Sequence, residues 1–122
     1  MIKGTGTDII EIARIEQAVT ASGRFAARVF TVREMAYCNA GKQRWARMAA
    51  RFAAKEAVAK ALGTGFGKVK WTDIEVMHGE SGKPLVVLHG AASEIAANLD
   101  ITLLSLSLSH CREYAVAFVI AS

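Results

Sequence analysis

The sequence has few aromatic residues, few cysteines and no long apolar run, and each shortage excludes a class of protein. Aromatic residues make up 7% of the 122 residues. That is too few for the stacking platform with which an RNA-recognition sheet binds bases. Cys38 and Cys111 fit no metal-binding spacing, so we expect two free thiols. The longest apolar stretches, such as Ala115–Ala121, are far shorter than the roughly 20 residues that cross a bilayer.

The short signatures of several enzyme classes are also missing. There is no G-x-S-x-G, Walker loop or zinc-ligand spacing, so hydrolase, nucleoside triphosphatase and zinc interpretations have no support. Gly4 and Gly6 lack the third glycine of a dinucleotide fingerprint, and close backbone approach in a packed strand explains them better. The N-terminus lacks a hydrophobic signal segment. We therefore expect a cytoplasmic protein without a membrane partner, built as one domain over residues 1–122.

The chain is instead rich in alanine and mildly basic. It has 22 alanines, and such small side chains favour close helix packing or an interface with other copies over a thick aromatic interior. The formal net charge is +4 and the pI is about 9.3. This excess suits an anionic ligand or an acidic macromolecule, without choosing among nucleic acid, membrane and acidic protein.

Hydrophobic periodicity predicts the element order β-α-α-α-β-β-α-β-β, an α+β domain with a mostly antiparallel sheet and one long helix. An unassigned segment with interleaved basic and aromatic residues, Arg24–Phe30, follows the first helix. Thr31 and Glu34 form a capping-box pattern, and Ile95 and Leu99 are expected to face inward. The predicted strands are Ile2–Ile10, Trp71–Met77, Leu85–His89, Leu103–Ser109 and Tyr114–Ile120. The predicted helices are Ile9–Val19, Thr31–Asn39, Gln43–Leu62 and Gly90–Asn98.

The long helix carries an unusual carboxylate near its C-terminal end. No proline or glycine interrupts it up to Leu62, and Gly63 can take the left-handed conformation of a C-cap. Glu56 lies on the apolar edge of this helix, where a buried charge is costly unless it is paired or bound to a metal. Lys60 follows one turn later. The sequence therefore raises the question of what Glu56 is paired with.

Asp8 is the other carboxylate that stands out, at the predicted end of the first strand. Asp8 and Glu56 together suit Mg²⁺, which keeps several waters and takes further ligands from a substrate phosphate, and Lys60 could hold a phosphate oxygen. The same residues have simpler interpretations. Glu56 and Lys60 could form an i,i+4 salt bridge, Asp8 could be the N-cap of the following helix, and His110 could be structural.

Arg47, Arg51 and Lys55 are spaced by four and form a basic stripe on the long helix. Such a stripe is either a solvated face or the surface of a non-catalytic module that binds RNA or another polyanion. Taken alone, the residues therefore predict a magnesium and phosphate site and leave these alternatives open.

Five segments, taken in order, resemble the holo-acyl-carrier-protein synthases, which are small bacterial 4′-phosphopantetheinyl transferases. The resemblance spans the chain from end to end. The segments are Gly6–Ile15, Arg51–Gly65, Trp71–Val76, Gly82–Pro84 and Ser107–His110. It implies the 4′-phosphopantetheinyl transferase fold and a Mg²⁺-dependent reaction of fatty acid biosynthesis. Coenzyme A, the co-substrate, would give its phosphopantetheine to a serine of apo acyl carrier protein, leaving adenosine 3′,5′-bisphosphate.

The resemblance also implies roles for individual residues. Asp8 and Glu56 match the Mg²⁺ ligands, and Lys60 would stabilise charge on the pyrophosphate. Either Glu56 or a metal-bound water would take the serine proton. The candidates for binding the nucleotide and its 3′-phosphate are the arginines from Arg44 to Arg51, Lys60, Gly63, Thr64, Gly65 and His110.

Two kinds of partner follow from the resemblance. The family forms homotrimers with the active site shared between neighbouring subunits, and the carrier protein is acidic. The expected docking surface consists of Arg14, Arg24, Phe25 and Arg28, in which the arginines supply charge and the aromatic ring an anchor. No nucleic acid partner is expected.

Overall fold

The computed structural model describes all 122 residues and has the α+β architecture that the sequence predicts, with one helix more. The strands are β1 (Gly4–Glu11), β2 (Ile74–His78), β3 (Pro84–Leu88), β4 (Leu104–His110) and β5 (Tyr114–Ala121). The helices are α1 (Ile12–Ala21), α2 (Gly23–Val29), α3 (Val32–Asn39), α4 (Arg44–Leu62) and α5 (Gly90–Asn98). The added helix, α2, is the segment that the sequence left unassigned.

The strands form two antiparallel sheets. β5 is the central strand of a three-stranded sheet in the order β1-β5-β4, and β2 and β3 form a separate hairpin. Leu106 of β4 is buried while Ser105 and Ser107 are exposed, so leucine faces the core and serine faces solvent along this strand. Trp71–Asp73, predicted as strand, is instead a short 3₁₀ turn before β2.

The long helix α4 lies directly on β1, and two glycines make this possible. A Cβ atom on Gly6 would overlap the carbonyl oxygen of Ala57, and one on Gly4 would overlap that of Ala61. The expected close backbone approach is therefore confirmed, and the partner is a helix rather than another strand. Alanines on α4 complete the fit, because they fill the interface without separating the two backbones.

The predicted caps of α3 and α4 are both present. The Thr31 hydroxyl accepts from the Glu34 backbone N–H, and the Glu34 carboxylate accepts from the Thr31 N–H. Gly63 ends α4 in the left-handed region at φ 72°. Its N–H donates to the Lys60 carbonyl at 3.1 Å, and the Thr64 N–H donates to the Ala59 carbonyl at 3.0 Å. These two bonds are those of a Schellman motif.

The expected position of Asp8 at a strand end is wrong, and so is its interpretation as an N-cap. β1 continues to Glu11 because every one of its residues pairs with β5, with Asp8 opposite Ala117. Helix α1 begins only at Ile12. The Asp8 carboxylate is therefore free for another role.

The basic stripe is not a solvated face. Arg51 is 2% exposed and Lys55 is fully buried, so only Arg47 of the three reaches solvent. The Lys55 ammonium lies 2.8 Å from a Glu34 carboxylate oxygen. Because Arg51 and Lys55 are buried, a polyanion on this face of α4 could reach only one of the three cations, Arg47. Leu99 is also misplaced in the prediction, since it is 46% exposed and α5 buries Ala92 and Ala96 instead.

Candidate functional site

Asp8, Glu56 and Lys60 meet where β1 crosses the C-terminal half of α4. Lys60 Nζ lies 3.6 Å from Asp8 Oδ1 and donates to the carbonyl oxygen of Thr7 at 2.8 Å. The Lys60 ion pair is thus with Asp8 and not with Glu56, so the i,i+4 salt bridge is wrong. The Lys60 side chain remains 55% exposed, which leaves its ammonium accessible to a ligand.

Both carboxylates of this cluster are disfavoured as anions. Burial raises the pKa of Asp8, and the Lys60 charge only partly opposes this. Burial also raises the pKa of Glu56, the negative charge of Asp8 raises it further, and Lys60 lowers it. A bound cation would relieve both the lost hydration and the mutual repulsion.

The donor set of this cluster fits Mg²⁺ with an open shell. No group of three or more histidine, cysteine, aspartate and glutamate side chains could hold a metal. Asp8 and Glu56 therefore offer two carboxylates and leave the remaining positions to water and to a ligand's oxygens. Mg²⁺ tolerates this arrangement, whereas Ca²⁺ needs more protein oxygens.

The glycine-rich turn begins one helical turn beyond Lys60. Gly63 and Gly65 are exposed, and a Cβ atom at either position would meet nothing within 4 Å. Thr64 is half-buried, with its hydroxyl bonded to the adjacent Gly65 carbonyl at 3.2 Å. This turn leaves backbone groups open to a ligand that approaches the end of α4.

Arg51 and His110 line a different place, a cavity of about 260 Å³ beside α3, α4 and β2. One guanidinium nitrogen of Arg51 lies 2.9 Å from His78 Nδ1, and the group stacks 4.1 Å above the Tyr37 ring. Arg51 Nε is buried without a partner. Burial and the nearby charges of Arg51 and Arg47 lower the pKa of His78. This cavity is rich in cations and suits an anion.

Sequence reasoning missed Tyr37 and His78. Each is brought to Arg51 by packing between elements, and no spacing along the chain indicates the contact. His78 is 27 residues from Arg51 and comes from the hairpin strand β2. Neither residue had a motif that could have singled it out.

None of the five main cavities is lined by Asp8, Glu56 or Lys60. The structure thus joins these three in one open cluster and places Arg51 and His110 in a separate cavity. A single copy of the chain does not enclose both sets of residues in one pocket.

The predicted docking residues lie on α1 and α2. Arg14, Arg24 and Arg28 are exposed, and none of them takes part in an ion pair. Phe25 is half-buried and stacks on Phe52 of α4, with ring centroids 6.1 Å apart. These two helices therefore carry three exposed cations without ion-pair partners, together with one half-buried aromatic ring. Elsewhere, no helix combines the length and the apolar character needed to span a membrane.

Comparison with known proteins identifies the family. The model of the 4′-phosphopantetheinyl transferase superfamily matches residues 4–119. A holo-[acyl-carrier-protein] synthase of Moorella thermoacetica is 50% identical over 112 residues, covering 92% of this chain and 88% of the relative. The crystal structure of the Neisseria meningitidis holo-[acyl-carrier-protein] synthase has a TM-score of 0.91 at 38% identity, covering 100% of this chain and 99% of that one.

A further crystal structure contains a ligand. It is a holo-(acyl-carrier-protein) synthase of Bacillus anthracis in complex with CoA (3′,5′-ADP), with a TM-score of 0.82 at 39% identity. The match covers 99% of this chain and 96% of that chain. The fold, the family model and the relatives agree, and the chain belongs to the 4′-phosphopantetheinyl transferase superfamily as a transferase enzyme.

Proposed function

We propose that the protein transfers 4′-phosphopantetheine from coenzyme A to a serine of apo acyl carrier protein. The serine oxygen bonds to the phosphorus that carries pantetheine, and adenosine 3′,5′-bisphosphate leaves with the electron pair of the broken P–O bond. The names of the relatives and the coenzyme A complex of the Bacillus anthracis protein support this reaction. The observation that carries the proposal is the cluster of Asp8, Glu56 and Lys60 beside the glycine-rich turn.

The residues that would hold Mg²⁺ are Asp8 and Glu56. When bound there, the ion would neutralise charge on the pyrophosphate of coenzyme A. The fit is supported by the raised pKa of both carboxyl groups, since a cation would restore the stability that burial removes from their anions. The absence of a third protein carboxylate leaves room for the pyrophosphate oxygens.

Lys60 and the turn that follows it would bind the pyrophosphate. The exposed ammonium of Lys60 can donate to a phosphate oxygen while staying near Asp8. Gly63, Thr64 and Gly65 would let the ligand approach the backbone closely because no side chain obstructs the glycines. Positioning and neutralisation of charge account for most catalysis of phosphoryl transfer.

Glu56 would accept the serine proton, either directly or through a water molecule beside it. Burial and the charge of Asp8 raise the pKa of Glu56, which makes it a stronger base than an ordinary carboxylate. In the same cluster, Asp8 is the less suitable base because Lys60 already pairs with it.

The cationic cavity of Arg51 and His110 would bind the nucleotide portion and its 3′-phosphate. The unpaired Nε atom of Arg51 and the depressed pKa of His78 both indicate a site that an anion would stabilise. Tyr37 offers an aromatic face next to the same cations.

A homotrimer would bring the separate parts of the site together. Asp8, Glu56 and Lys60 line none of the five main cavities of a single copy, which is expected of a site completed by a neighbouring copy. The outer face of the three-stranded sheet exposes Ile9 and Phe118, flanked by threonines of β1 and serines of β4. Such an exposed apolar strip with small neighbours suits packing against another copy of the chain.

The carrier protein would dock on Arg14, Arg24, Phe25 and Arg28. Three exposed arginines without ion-pair partners are complementary to an acidic protein, and Phe25 would be its apolar anchor.

We also assign this reaction to fatty acid biosynthesis in the cytoplasm and to one domain over residues 1–122. Two free cysteines suit a reducing compartment. Ile10 and Leu108 pack against both hydrophobic clusters, which supports a single folding unit.

The decisive experiment is incubation of the purified protein with coenzyme A, Mg²⁺ and several apo carrier proteins, followed by mass spectrometry. The expected result is a carrier that gains one phosphopantetheine on a serine, with adenosine 3′,5′-bisphosphate in the supernatant. If no apo carrier gains mass under any of these conditions, the proposed function is wrong.

A further inference from the structure

The chain that leaves α4 at its C-terminal end is held by few contacts of its own. Backbone hydrogen bonds to α4 hold Gly63 and Thr64, but none fixes the chain between Thr64 and Lys70 to the rest of the fold. Three glycines, Gly63, Gly65 and Gly67, have open space where a Cβ atom would be. Glycine backbones lose more conformational freedom on ordering than any other residue, so this turn needs an external restraint.

Phe66 supplies the only large apolar side chain within the turn. Its ring stacks on Trp71 with centroids 3.7 Å apart and planes within 6°. The next buried side chain, Val69, lies after the last glycine and holds only the chain beyond it. Phe66 also packs against the larger hydrophobic cluster of the core, and its stacking on Trp71 is the aromatic contact that holds the middle of the turn.

Trp71 is itself tied to the rigid part of the molecule. Its ring also stacks with Phe52 of α4, with centroids 4.9 Å apart. Its carbonyl oxygen accepts from Lys55 Nζ at 3.1 Å, and this buried ammonium is paired with Glu34. Moving Trp71 would disturb the hydrogen bonds of a buried ion pair, so the residue is a firm anchor.

We propose that Trp71 is a positioning residue that acts through Phe66 to hold Gly63–Gly67 in the conformation that binds coenzyme A. This inference rests on the proposed function, in which the turn contacts the pyrophosphate. A turn ordered in advance avoids the entropy that a loose one would lose on binding. Trp71 touches no reacting atom in this scheme, and its effect appears in the affinity for coenzyme A.

The test compares Phe66→Ala, Phe66→Leu, Trp71→Leu and Trp71→Phe with the unmodified chain. The measurements are the Kd for coenzyme A with Mg²⁺, by calorimetry, and amide hydrogen exchange over residues 63–68. Phe66→Ala should raise the Kd about fivefold and speed the exchange, because an aromatic pair of this kind is lost. Phe66→Leu should lie between. Trp71→Leu should raise the Kd as Phe66→Ala does, because it leaves Phe66 without a ring to stack on, whereas Trp71→Phe should stay near the unmodified chain because a ring still stacks on Phe66.

Leu99→Ala is the matched control, since it removes a partly exposed apolar side chain after another helix and should change neither measurement. Thermal unfolding checks that each variant folds. If Phe66→Ala does not fold, the Kd of Phe66→Leu decides the question. An unchanged Kd in both Phe66 variants overturns the inference, even if exchange becomes faster. The proposed function has its own test: a chain that binds coenzyme A and modifies no carrier contradicts it, while the Kd comparison still judges Trp71.

Discussion

At the scale of single residues, Glu56 is the side chain on which the proposed chemistry depends. It adjoins Asp8 and Lys60, and burial and the Asp8 charge raise its pKa. Glu56→Gln removes the proposed metal ligand and base while keeping the shape of the side chain. We expect turnover to fall by at least about 100-fold, as for loss of a general base. Glu94→Gln, an exposed change of the same kind on α5, should leave turnover unchanged in the mass assay.

The same substitution has an expected effect on stability. Because the folded state raises the pKa of Glu56, the free energy of unfolding falls as pH rises through that pKa. Glu56→Gln should therefore be at least as stable as the unmodified chain at neutral pH in the absence of metal. The difference should vanish in acid, below the unfolded-state pKa. Denaturant unfolding at both pH values measures this, and a variant less stable at neutral pH would contradict the electrostatic argument.

Arg14 tests the docking surface at the same scale. It is exposed on α1 without an ion-pair partner, so its charge is available to an acidic carrier. Arg14→Glu should raise the KM for the carrier about tenfold and leave the KM for coenzyme A unchanged. Lys83→Glu reverses the same charge in the turn between β2 and β3 and should have little effect on either. Equal KM values for Arg14→Glu and the unmodified chain would remove Arg14 from the surface.

At the scale of elements, the contact between β1 and α4 places Asp8 beside Glu56 and Lys60. Gly6→Ala should lower the free energy of unfolding by about 3 kcal/mol, because the added methyl meets the Ala57 carbonyl rather than a movable side chain. Gly23→Ala is the matched control, since a Cβ there meets nothing and an alanine favours the first turn of α2. Urea unfolding of the two variants measures the free energy of unfolding. Equal losses of that free energy in both variants would contradict the close approach of β1 to α4.

The buried pair Lys55–Glu34 ties α4 to α3 and to the start of β2. Lys55 also donates to the carbonyl oxygens of Trp71 and Ile74. Lys55→Met leaves the Glu34 charge buried and unpaired, so it should cost about 3–5 kcal/mol of unfolding free energy. Adding Glu34→Gln should recover part of that loss because the unpaired charge disappears. A double variant no more stable than Lys55→Met would show that the charge is not the cause.

At the scale of the whole molecule, the outer face of the sheet decides whether the proposed site can be completed. Phe118 of the central strand β5 is 44% exposed there, opposite Thr7 on one side and Ser107 on the other. Phe118→Asp should break the proposed trimer into smaller species and abolish turnover. Leu99→Asp changes a side chain of matched exposure, 46%, at the C-terminal end of α5 and should leave the assembly intact. Light scattering measures the mass, and an unmodified chain that is monomeric would exclude the trimer.

The sequence by itself determined whatever depends on residues close together along the chain. Thr31 and Glu34 predicted a capping box, Gly63 predicted a left-handed helix end, and both are present because each needs only a few neighbouring residues. The ordered motifs around Asp8 and Glu56 identified the family for the same reason.

The tertiary structure decided which charges are buried and which side chains meet. A basic stripe looks the same on a helix wheel whether it faces water or Glu34, and only packing against α3 and β2 buries Arg51 and Lys55. Local spacing likewise offered Lys60 only Glu56, one turn away, as an ion-pair partner, whereas the structure pairs it with Asp8, 52 positions earlier. The close packing of β1 on α4 brings Asp8 to Lys60, and such contacts depend on the fold and not on local spacing.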